Sequence, residues 1–169
     1  RGVATNAEPY SAIGISDSLR LRCDEAFWHG VRCILDCQIA DAQGMPTVWC
    51  QQHDEQTLLP APARKYELAS YCGYGETVGI VELLMDLAEA DACDAAASLF
   101  DITTDLLWQR IGLAVHWLEA HAIKGMKLES YVDADGRADK RFVPSPGAPD
   151  IWARYYDLQT ASPLFSDRS

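Results

Sequence analysis

The sequence has little positive charge and no long hydrophobic run. Its 14 Lys and Arg side chains stand against 25 Asp and Glu side chains, which gives a formal net charge of -11. Nucleic-acid binding needs clustered cations that neutralise phosphates, so this balance argues against a nucleic-acid partner. No run of about eighteen apolar residues occurs, so no membrane span is expected. The N-terminus also opens without the apolar segment of a signal peptide.

Several catalytic and metal-binding motifs are missing as well. The chain has no glycine-rich phosphate loop and no nucleophile elbow. Its six cysteines form no C-x-x-C pair and fit no zinc pattern. Cys33 and Cys37 are four positions apart and share one face of a predicted helix. The even count leaves two alternatives open, which are disulfides in an exported protein and buried free thiols.

The composition that remains is that of one globular domain over residues 1–169. This length suffices for a single core, and 49% of the residues are hydrophobic. Half of the Lys and Arg residues lie in residues 124–169, where they balance the Asp and Glu residues, so residues 1–123 carry the whole net charge. An anionic ligand is therefore expected to bind at the C-terminal quarter.

Apolar spacing predicts three helices, over residues 16–40, 76–91 and 103–122. Gly125 is placed like a C-terminal cap of the third helix. A hairpin with its turn at Asp135-Gly136 is expected after that helix. No internal repeat stands out, and the pattern favours an all-α array whose long loops converge on one face.

Four features in and near these helices are interpreted as structural. His29, His116 and His121 lie within helical patterns, and the last two are five positions apart, so they do not share the helix face that a metal site would use. The segment DADGRAD, residues 133–139, begins like an EF-hand loop. It lacks the glutamate at the twelfth position and is therefore expected to be a turn.

Two polar segments stand out as candidates for a site. In TVWCQQHDEQTLLPAPARKYE, residues 47–67, Asp54 next to His53 offers a hard oxygen ligand of the kind that calcium prefers. In the C-terminal segment, Arg154 and Arg168 are loop cations close to aromatic residues. The alternative interpretation makes Trp152 and Tyr155 core anchors, with the arginines extending over apolar surface to water.

These segments, with their neighbours, resemble the pectate lyases of polysaccharide lyase family ten. The similarity is carried by CILDCQI, GMPTVWCQQHDEQTLLPAPARKYELAS, GETVGIVELLM and PGAPDIWARYYDLQTASPLFSDR, in order over residues 9–168. It implies a mainly α fold, a partial (α/α) toroid of helix pairs with long loops and a short β-hairpin. It also implies β-elimination of homogalacturonan with Ca2+ in a secreted or periplasmic enzyme. An earlier aspartate-bearing segment of the family has no counterpart here, so residues 1–169 are expected to be an incomplete catalytic module, with the missing half as a partner.

The resemblance also implies roles for individual residues. Asp54 matches the calcium-binding aspartate, and Arg154 and Arg168 match arginines that hold substrate carboxylates, Arg154 within the catalytic centre. Lys127 aligns with the catalytic base, where the family has arginine, so a lysine there needs a lowered pKa to accept a proton. Lys140 is a candidate for a further carboxylate contact.

Two alternatives to a pectate lyase stay open. One is a non-catalytic remnant that binds pectin or another polyuronate through the same arginines and Asp54. The other is a helical hydrolase that uses Asp54 and Glu55, although adjacent carboxylates rarely face each other across one glycosidic bond.

Overall fold

The structure, a computed structural model, describes residues 1–64, 67–93 and 95–165. None of the helices in these ranges is long and apolar enough to cross a membrane. In chain order the elements are a 3-10 helix Tyr10–Ile13, α1 Asp17–Asp36, β1 Tyr71–Cys72, α2 Glu76–Glu89, α3 Ala95–Ser98, α4 Thr104–Ala120, β2 Met126–Val132, β3 Ala138–Pro144, β4 Tyr155–Tyr156 and β5 Pro163–Leu164.

Helix α1 begins where the sequence predicts and ends earlier. The Ser16 hydroxyl accepts a hydrogen bond from the Leu19 N–H at 3.4 Å and so satisfies one of the unpaired amides of the first turn. The expected continuation to residue 40 is wrong, because Cys37 ends the helix. Two residues later the Ile39 N–H donates to the Val48 carbonyl at 3.0 Å, so this backbone pairs with the next segment instead.

Helices α2 and α4 pack against each other. Thr103 caps α4 by accepting a hydrogen bond from the Leu106 N–H at 3.1 Å. The prediction of a cap at Gly125 is wrong, since His121 caps the helix and Gly125, with φ of 66°, turns the chain into β2. The two helices bury side chains at helical spacing, namely Val81, Leu84, Leu87, Leu107, Ile111 and Ala114.

The predicted hairpin is present as strands β2 and β3. They pair antiparallel over seven residues each, with Met126 opposite Pro144 and Val132 opposite Ala138. The Asp133 carboxylate accepts hydrogen bonds from backbone N–H groups of the turn, and Gly136 takes a φ of 80°. The segment that begins like an EF-hand loop is therefore a turn, as expected.

A second small sheet joins distant parts of the chain. Strand β1 pairs antiparallel with β4, and β4 pairs antiparallel with β5. Tyr71 lies opposite Tyr156, which is fully buried together with Trp28 and Trp49 in one hydrophobic core. The sheet thereby fixes the C-terminal segment against the middle of the chain.

The fold-class prediction of a mainly α partial toroid is wrong for the described residues. Helix accounts for 36% of the structure and strand for 16%, which makes the fold mixed α and β. The segments between α1 and α2 and after α4 carry prolines and lack apolar residues at helical spacing, so they cannot continue the helices. Their backbone groups pair instead in short strands and isolated bridges such as His53–Pro60 and Ile123–Ile151.

Candidate functional site

A groove is lined by the β2–β3 hairpin, by residues of the segment 152–165 and by Glu67, so two carboxylates, Glu67 and Asp139, lie in its wall together with its cations. Its cavity volume is about 530 Å³. Lys140 reaches it from β3 and Arg154 from the position before β4. The structure therefore brings together two of the cations that the sequence analysis singles out for substrate binding.

Aromatic rings form much of the rest of the groove wall. Trp152 is 40% exposed, and its indole N–H donates to the Leu118 carbonyl at 2.7 Å, which fixes the ring against the end of α4. Phe142 and Phe165 pack against each other with centroids 4.6 Å apart. Exposed ring surface beside cations suits an anionic ligand that also has apolar faces.

The core-anchor interpretation of Trp152 and Tyr155 fits their neighbour Tyr156 better, since Trp152 and Tyr155 both line the groove. Tyr156 is fully buried, and its hydroxyl donates to the His121 carbonyl at 3.0 Å while it accepts a hydrogen bond from the Ala153 N–H at 3.0 Å. Trp152 directly follows Ile151, which forms an isolated bridge with Ile123, and it lines the groove with its exposed face. The aromatic residues around Arg154 thus divide between core and groove.

The guanidinium of Arg154 is held by its neighbours. Its Nη2 lies 2.8 Å from Oε1 of Glu76, the first residue of α2, and its Cζ lies 5.1 Å from the ring centroid of Tyr155. The hydrogen bond with Glu76 raises the pKa of Arg154 above its usual value, so this side chain stays charged. The side chain is 51% exposed, which leaves part of the guanidinium open to a ligand.

A polar network connects two of the four segments that carry the resemblance, residues 44–70 and 146–168. The Tyr155 hydroxyl donates to the side-chain oxygen of Gln51, and a hydrogen bond from the Gln51 side chain reaches Glu67. Glu67 also accepts from Nε of Arg64 at 2.9 Å. The Arg64 hydrogen bond is the main reason why the pKa of Glu67 falls to about 2.

Gly73 is a structural requirement of the site that the sequence analysis misses. A Cβ at this position would lie 2.3 Å from Cε2 of Tyr156 and 2.7 Å from the Ala153 carbonyl oxygen. The Gly73 N–H donates to the Arg154 carbonyl at 3.1 Å, so the two backbones touch directly. The signal in the sequence is a glycine directly after a buried strand, which often marks such a close approach.

Lys127 lies away from the groove. It pairs with Val143 in the hairpin register, whereas Lys140 pairs with Ser130. Successive side chains of a strand point to opposite faces, and directly paired residues share a face, so Lys127 and Lys140 are on opposite faces of the hairpin. The structure therefore does not bring the predicted base to the two groove cations.

Asp54 lies outside the groove in a tight turn. Its Oδ1 accepts hydrogen bonds from the backbone N–H groups of Gln56 and Thr57 and from the Thr57 hydroxyl at 2.8–3.1 Å. The bonds from Thr57 are the main cause of the lowered pKa of Asp54. Beside it, His53 uses both ring nitrogens, Nδ1 toward the Leu58 carbonyl and Nε2 toward the Cys50 N–H.

The described residues do not by themselves make a calcium site. Across the ranges 1–64, 67–93 and 95–165, no group of three His, Cys, Asp or Glu side chains is placed to hold a metal ion. Calcium takes about six to eight oxygen ligands. From Asp54, with Oδ1 engaged in the turn, Oδ2 offers one such ligand. The remaining ligands would have to come from substrate, water or elsewhere.

The Asp54 turn has a twin at Asp157. The carboxylate of Asp157 accepts the same three hydrogen bonds, from the Gln159 and Thr160 N–H groups and the Thr160 hydroxyl. Each turn is closed by a proline paired across it, to His53 in one and Tyr156 in the other. The sequence carries this repeat as W-x4-D-x-Q-T-x2-P at residues 49–60 and 152–163, so the expectation that the chain has no internal repeat is wrong.

The remaining predicted residues have simpler positions. His121 stacks on Trp117 with centroids 4.1 Å apart and His29 packs against Phe100, so both contribute to structure. Cys72 is a buried free thiol whose pKa is raised by burial to about 12. Arg168 lies outside the described residues.

The chain is similar in sequence and in structure to known polysaccharide lyases. A family model described as pectic acid lyase matches residues 1–169. A mutant of a family 10 polysaccharide lyase from Cellvibrio cellulosa, solved in complex with trigalacturonic acid, is 30% identical over 99% of this chain and 46% of that one, with a TM-score of 0.72. A second structure of a family 10 polysaccharide lyase from Cellvibrio cellulosa is 29% identical over 95% of this chain and 44% of that one, with a TM-score of 0.70. The chain thus spans less than half the length of these lyases, and no curated protein gives a significant match.

Proposed function

The chain belongs to the pectic acid lyase family, and from that premise we propose that it forms part of a calcium-dependent pectate lyase that cleaves polygalacturonate by β-elimination. The observation that carries the proposal is the groove in which Arg154 and Lys140 meet beside exposed aromatic rings. Polygalacturonate has a carboxylate on every sugar and apolar ring faces between them. The proposed location is secreted or periplasmic, where an extracellular polysaccharide is accessible.

Arg154 and Lys140 supply the carboxylate contacts in this proposal. The planar guanidinium of Arg154 can bind a carboxylate with two parallel hydrogen bonds, whereas Lys140 acts as a point charge on a flexible stem. Trp152 offers a fixed ring face against which a sugar can pack. Arg168 is proposed as a further carboxylate contact from the resemblance alone.

The elimination removes the C5 proton of a uronate and expels the O4 leaving group, which leaves a C4–C5 double bond. The adjacent negatively charged carboxylate makes this proton hard to remove. A cation that contacts that carboxylate therefore stabilises the transition state. Because its pKa is raised, Arg154 is suited to this role and poorly suited to accept the proton. Lys127 is the base implied by the resemblance. Because it lies on the opposite face of the hairpin from Lys140, we assign it no step in the groove.

Calcium enters the proposal through Asp54. When bound, the ion would neutralise carboxylates of the polygalacturonate chain outside the groove, where Asp54 lies. Asp54 would contribute Oδ2 while its Oδ1 keeps the turn in place. The donor set in the described residues is too small for calcium without the substrate, so we expect calcium and polygalacturonate to bind together.

The test follows product formation from polygalacturonate by ultraviolet absorbance, first with calcium and then with a chelator. A calcium-dependent rise in absorbance supports the proposal, because only elimination makes an unsaturated sugar. Release of reducing ends without this absorbance would instead indicate hydrolysis and would reject it. An Arg154→Gln variant should lose most of the rise.

A non-catalytic polyuronate-binding protein is the second candidate. The observation in its favour is the position of Lys127, since the base implied by the resemblance lies on the opposite hairpin face from Lys140 and so away from the two groove cations. Calcium-dependent binding of polygalacturonate by folded protein, with a flat absorbance trace, would select this candidate.

A further inference from the structure

Glu76 contacts Arg154, a cation of the groove wall, although it carries the same charge as the proposed ligand. Its carboxylate is 2.8 Å from Nη2 of Arg154, and the two residues are 78 positions apart in the chain. An anion beside an anion-binding cation has two possible effects. It can compete with the ligand for the guanidinium, or it can hold the guanidinium in the orientation that the ligand needs.

The surroundings of Glu76 favour the second effect because its position is rigid. Glu76 is the first residue of α2, where the positive end of the helix dipole favours a carboxylate. Its neighbour Thr77 is fully buried, and the Thr77 hydroxyl donates to the Cys72 carbonyl at 2.6 Å. This contact fixes the start of α2 to strand β1.

Arg154 is anchored to the same strand from the other side. The Arg154 carbonyl accepts a hydrogen bond from the Gly73 N–H at 3.1 Å, and Cys72 pairs with Tyr155 in the β1–β4 ladder. The backbones of both partners are thus tied to residues 72 and 73. Only the arginine side chain is left to be oriented, and one of its nitrogens is bound by Glu76 while the ring of Tyr155 lies under it.

We propose that Glu76 is a positioning residue, which holds the Arg154 guanidinium over Tyr155 so that its remaining N–H groups face a uronate carboxylate in the groove. The inference rests on the proposed function for its ligand. A guanidinium has five N–H donors, so one bond to Glu76 leaves enough for a two-point contact with a carboxylate. Because the side chain is already held in one orientation, less conformational entropy is lost when the ligand binds.

The direction in which one substitution changes the affinity for trigalacturonate distinguishes positioning from competition. Glu76→Ala removes a negative charge 2.8 Å from the Arg154 guanidinium, so electrostatics alone would tighten the binding of trigalacturonate. Under the proposal the affinity falls instead, by about threefold or more, because the guanidinium loses its orientation. Glu129→Ala is the matched control, since it breaks a similar exposed pair with Arg141 in the hairpin and removes the same charge. We expect it to leave the affinity unchanged or slightly higher.

Two further variants test whether Glu76 acts through Arg154. Glu76→Gln keeps an oxygen acceptor and should fall between the wild type and Glu76→Ala. In an Arg154→Gln background, Glu76→Ala should cause no further loss of trigalacturonate affinity. Tighter binding by Glu76→Ala, or losses that add in the double variant, would overturn the proposal, provided that circular dichroism and thermal unfolding show folded protein.

A measurement without ligand keeps this inference separate from the proposed function. The NMR order parameter of the Arg154 Nε–Hε group should drop in Glu76→Ala and stay unchanged in Glu129→Ala, and an unchanged value in both would overturn the positioning role. If that order parameter drops but trigalacturonate fails to bind the wild-type chain by titration calorimetry, the proposed function and the ligand of this inference both fall. If the wild type binds and Arg154→Gln has no effect, the positioning role and the carboxylate contact of Arg154 are both rejected, while binding of the polyuronate by this chain stands.

Discussion

Tyr155 donates its hydroxyl hydrogen bond to the side chain of Gln51, which lies 104 positions earlier in the chain. Gln51 belongs to the W-C-Q-Q-H-D segment and Tyr155 to the W-A-R-Y-Y-D segment. The two segments occupy equivalent places in the repeated turn motif, and strand β1 lies beside both, since the Cys72 N–H donates to the Trp49 carbonyl. These two segments, which both carry the resemblance, therefore form one structural unit, and that unit positions Arg154.

Gly73→Ala should destabilise the protein and weaken binding in the groove. The added methyl group would lie 2.3 Å from the Tyr156 ring and 2.7 Å from a backbone oxygen, and such overpacking costs about 1–3 kcal/mol. Chemical denaturation measures the unfolding free energy. The control is Gly79→Ala in α2, where a Cβ meets open space and a helix gains about 0.5–1 kcal/mol. Equal effects of the two changes would contradict the close approach at Gly73.

The two hairpin lysines should behave differently. Lys140→Ala should weaken trigalacturonate binding about two- to fivefold, the loss of one exposed charge contact. Lys127→Ala should leave the affinity unchanged, because Lys127 lies on the opposite hairpin face. Titration calorimetry at constant ionic strength measures both. A loss of affinity in Lys127→Ala similar to that in Lys140→Ala would mean that the groove does not bind the sugar.

Trp152→Ala should weaken trigalacturonate binding by about two- to tenfold, since an aromatic contact contributes roughly 0.5–1.5 kcal/mol beyond its buried area. Trp108 on α4 is the matched control, because it is 41% exposed against 40% for Trp152 and does not line the groove. Trp108→Ala should leave affinity within about twofold of wild type. Quenching of tryptophan fluorescence by the sugar should also disappear in Trp152→Ala alone.

The sequence predicts local features well and the site only in part. The hairpin turn at Gly136 and the start of α1 at Ser16 follow from short-range chemistry, namely a turn glycine and a capping hydroxyl. The pairing of Cys72 with Tyr155 cannot be read from spacing, because strands of two residues have no detectable period. The contact between Arg154 and Glu76 cannot be predicted for the same reason, because the sequence around a loop arginine does not indicate which distant residue it will contact.

The ion pair between Arg64 and Glu67 should contribute stability in a defined acid range. The pKa of Glu67 falls from 4.5 to about 2, mainly through the hydrogen bond from Arg64 and with a smaller contribution from Gln51. A carboxylate with a lowered folded-state pKa stabilises the fold above its unfolded value and loses that contribution as the pH falls. The difference in unfolding free energy between wild type and Arg64→Gln should therefore be full above pH 4.5 and disappear near pH 2. The control is a Glu67→Gln background, in which Arg64→Gln should show no such pH range, and a difference that persists there would reject the assignment.

Asp54 and Asp157 provide a matched pair for testing calcium binding. Each carboxylate accepts two hydrogen bonds from backbone N–H groups and one from a hydroxyl, in two turns of the same kind. Asp54→Ala and Asp157→Ala should therefore lower thermal stability by similar amounts. Turn chemistry is therefore equal in the two variants, and any difference between them comes from what else the carboxylate binds.

Under the proposed function only Asp54→Ala should abolish the calcium dependence of polygalacturonate binding, measured with calcium and again with a chelator. Asp54→Asn sharpens the comparison, because an amide oxygen can still accept the turn hydrogen bonds while it lacks the charge that favours calcium. If both alanine variants keep the calcium response, Asp54 serves the turn alone, as Asp157 does. If both lose it, the response depends on the fold of the repeated turns and Asp54 has no special role. Loss in Asp54→Ala and Asp54→Asn, with the response retained in Asp157→Ala, assigns the ligand to Asp54.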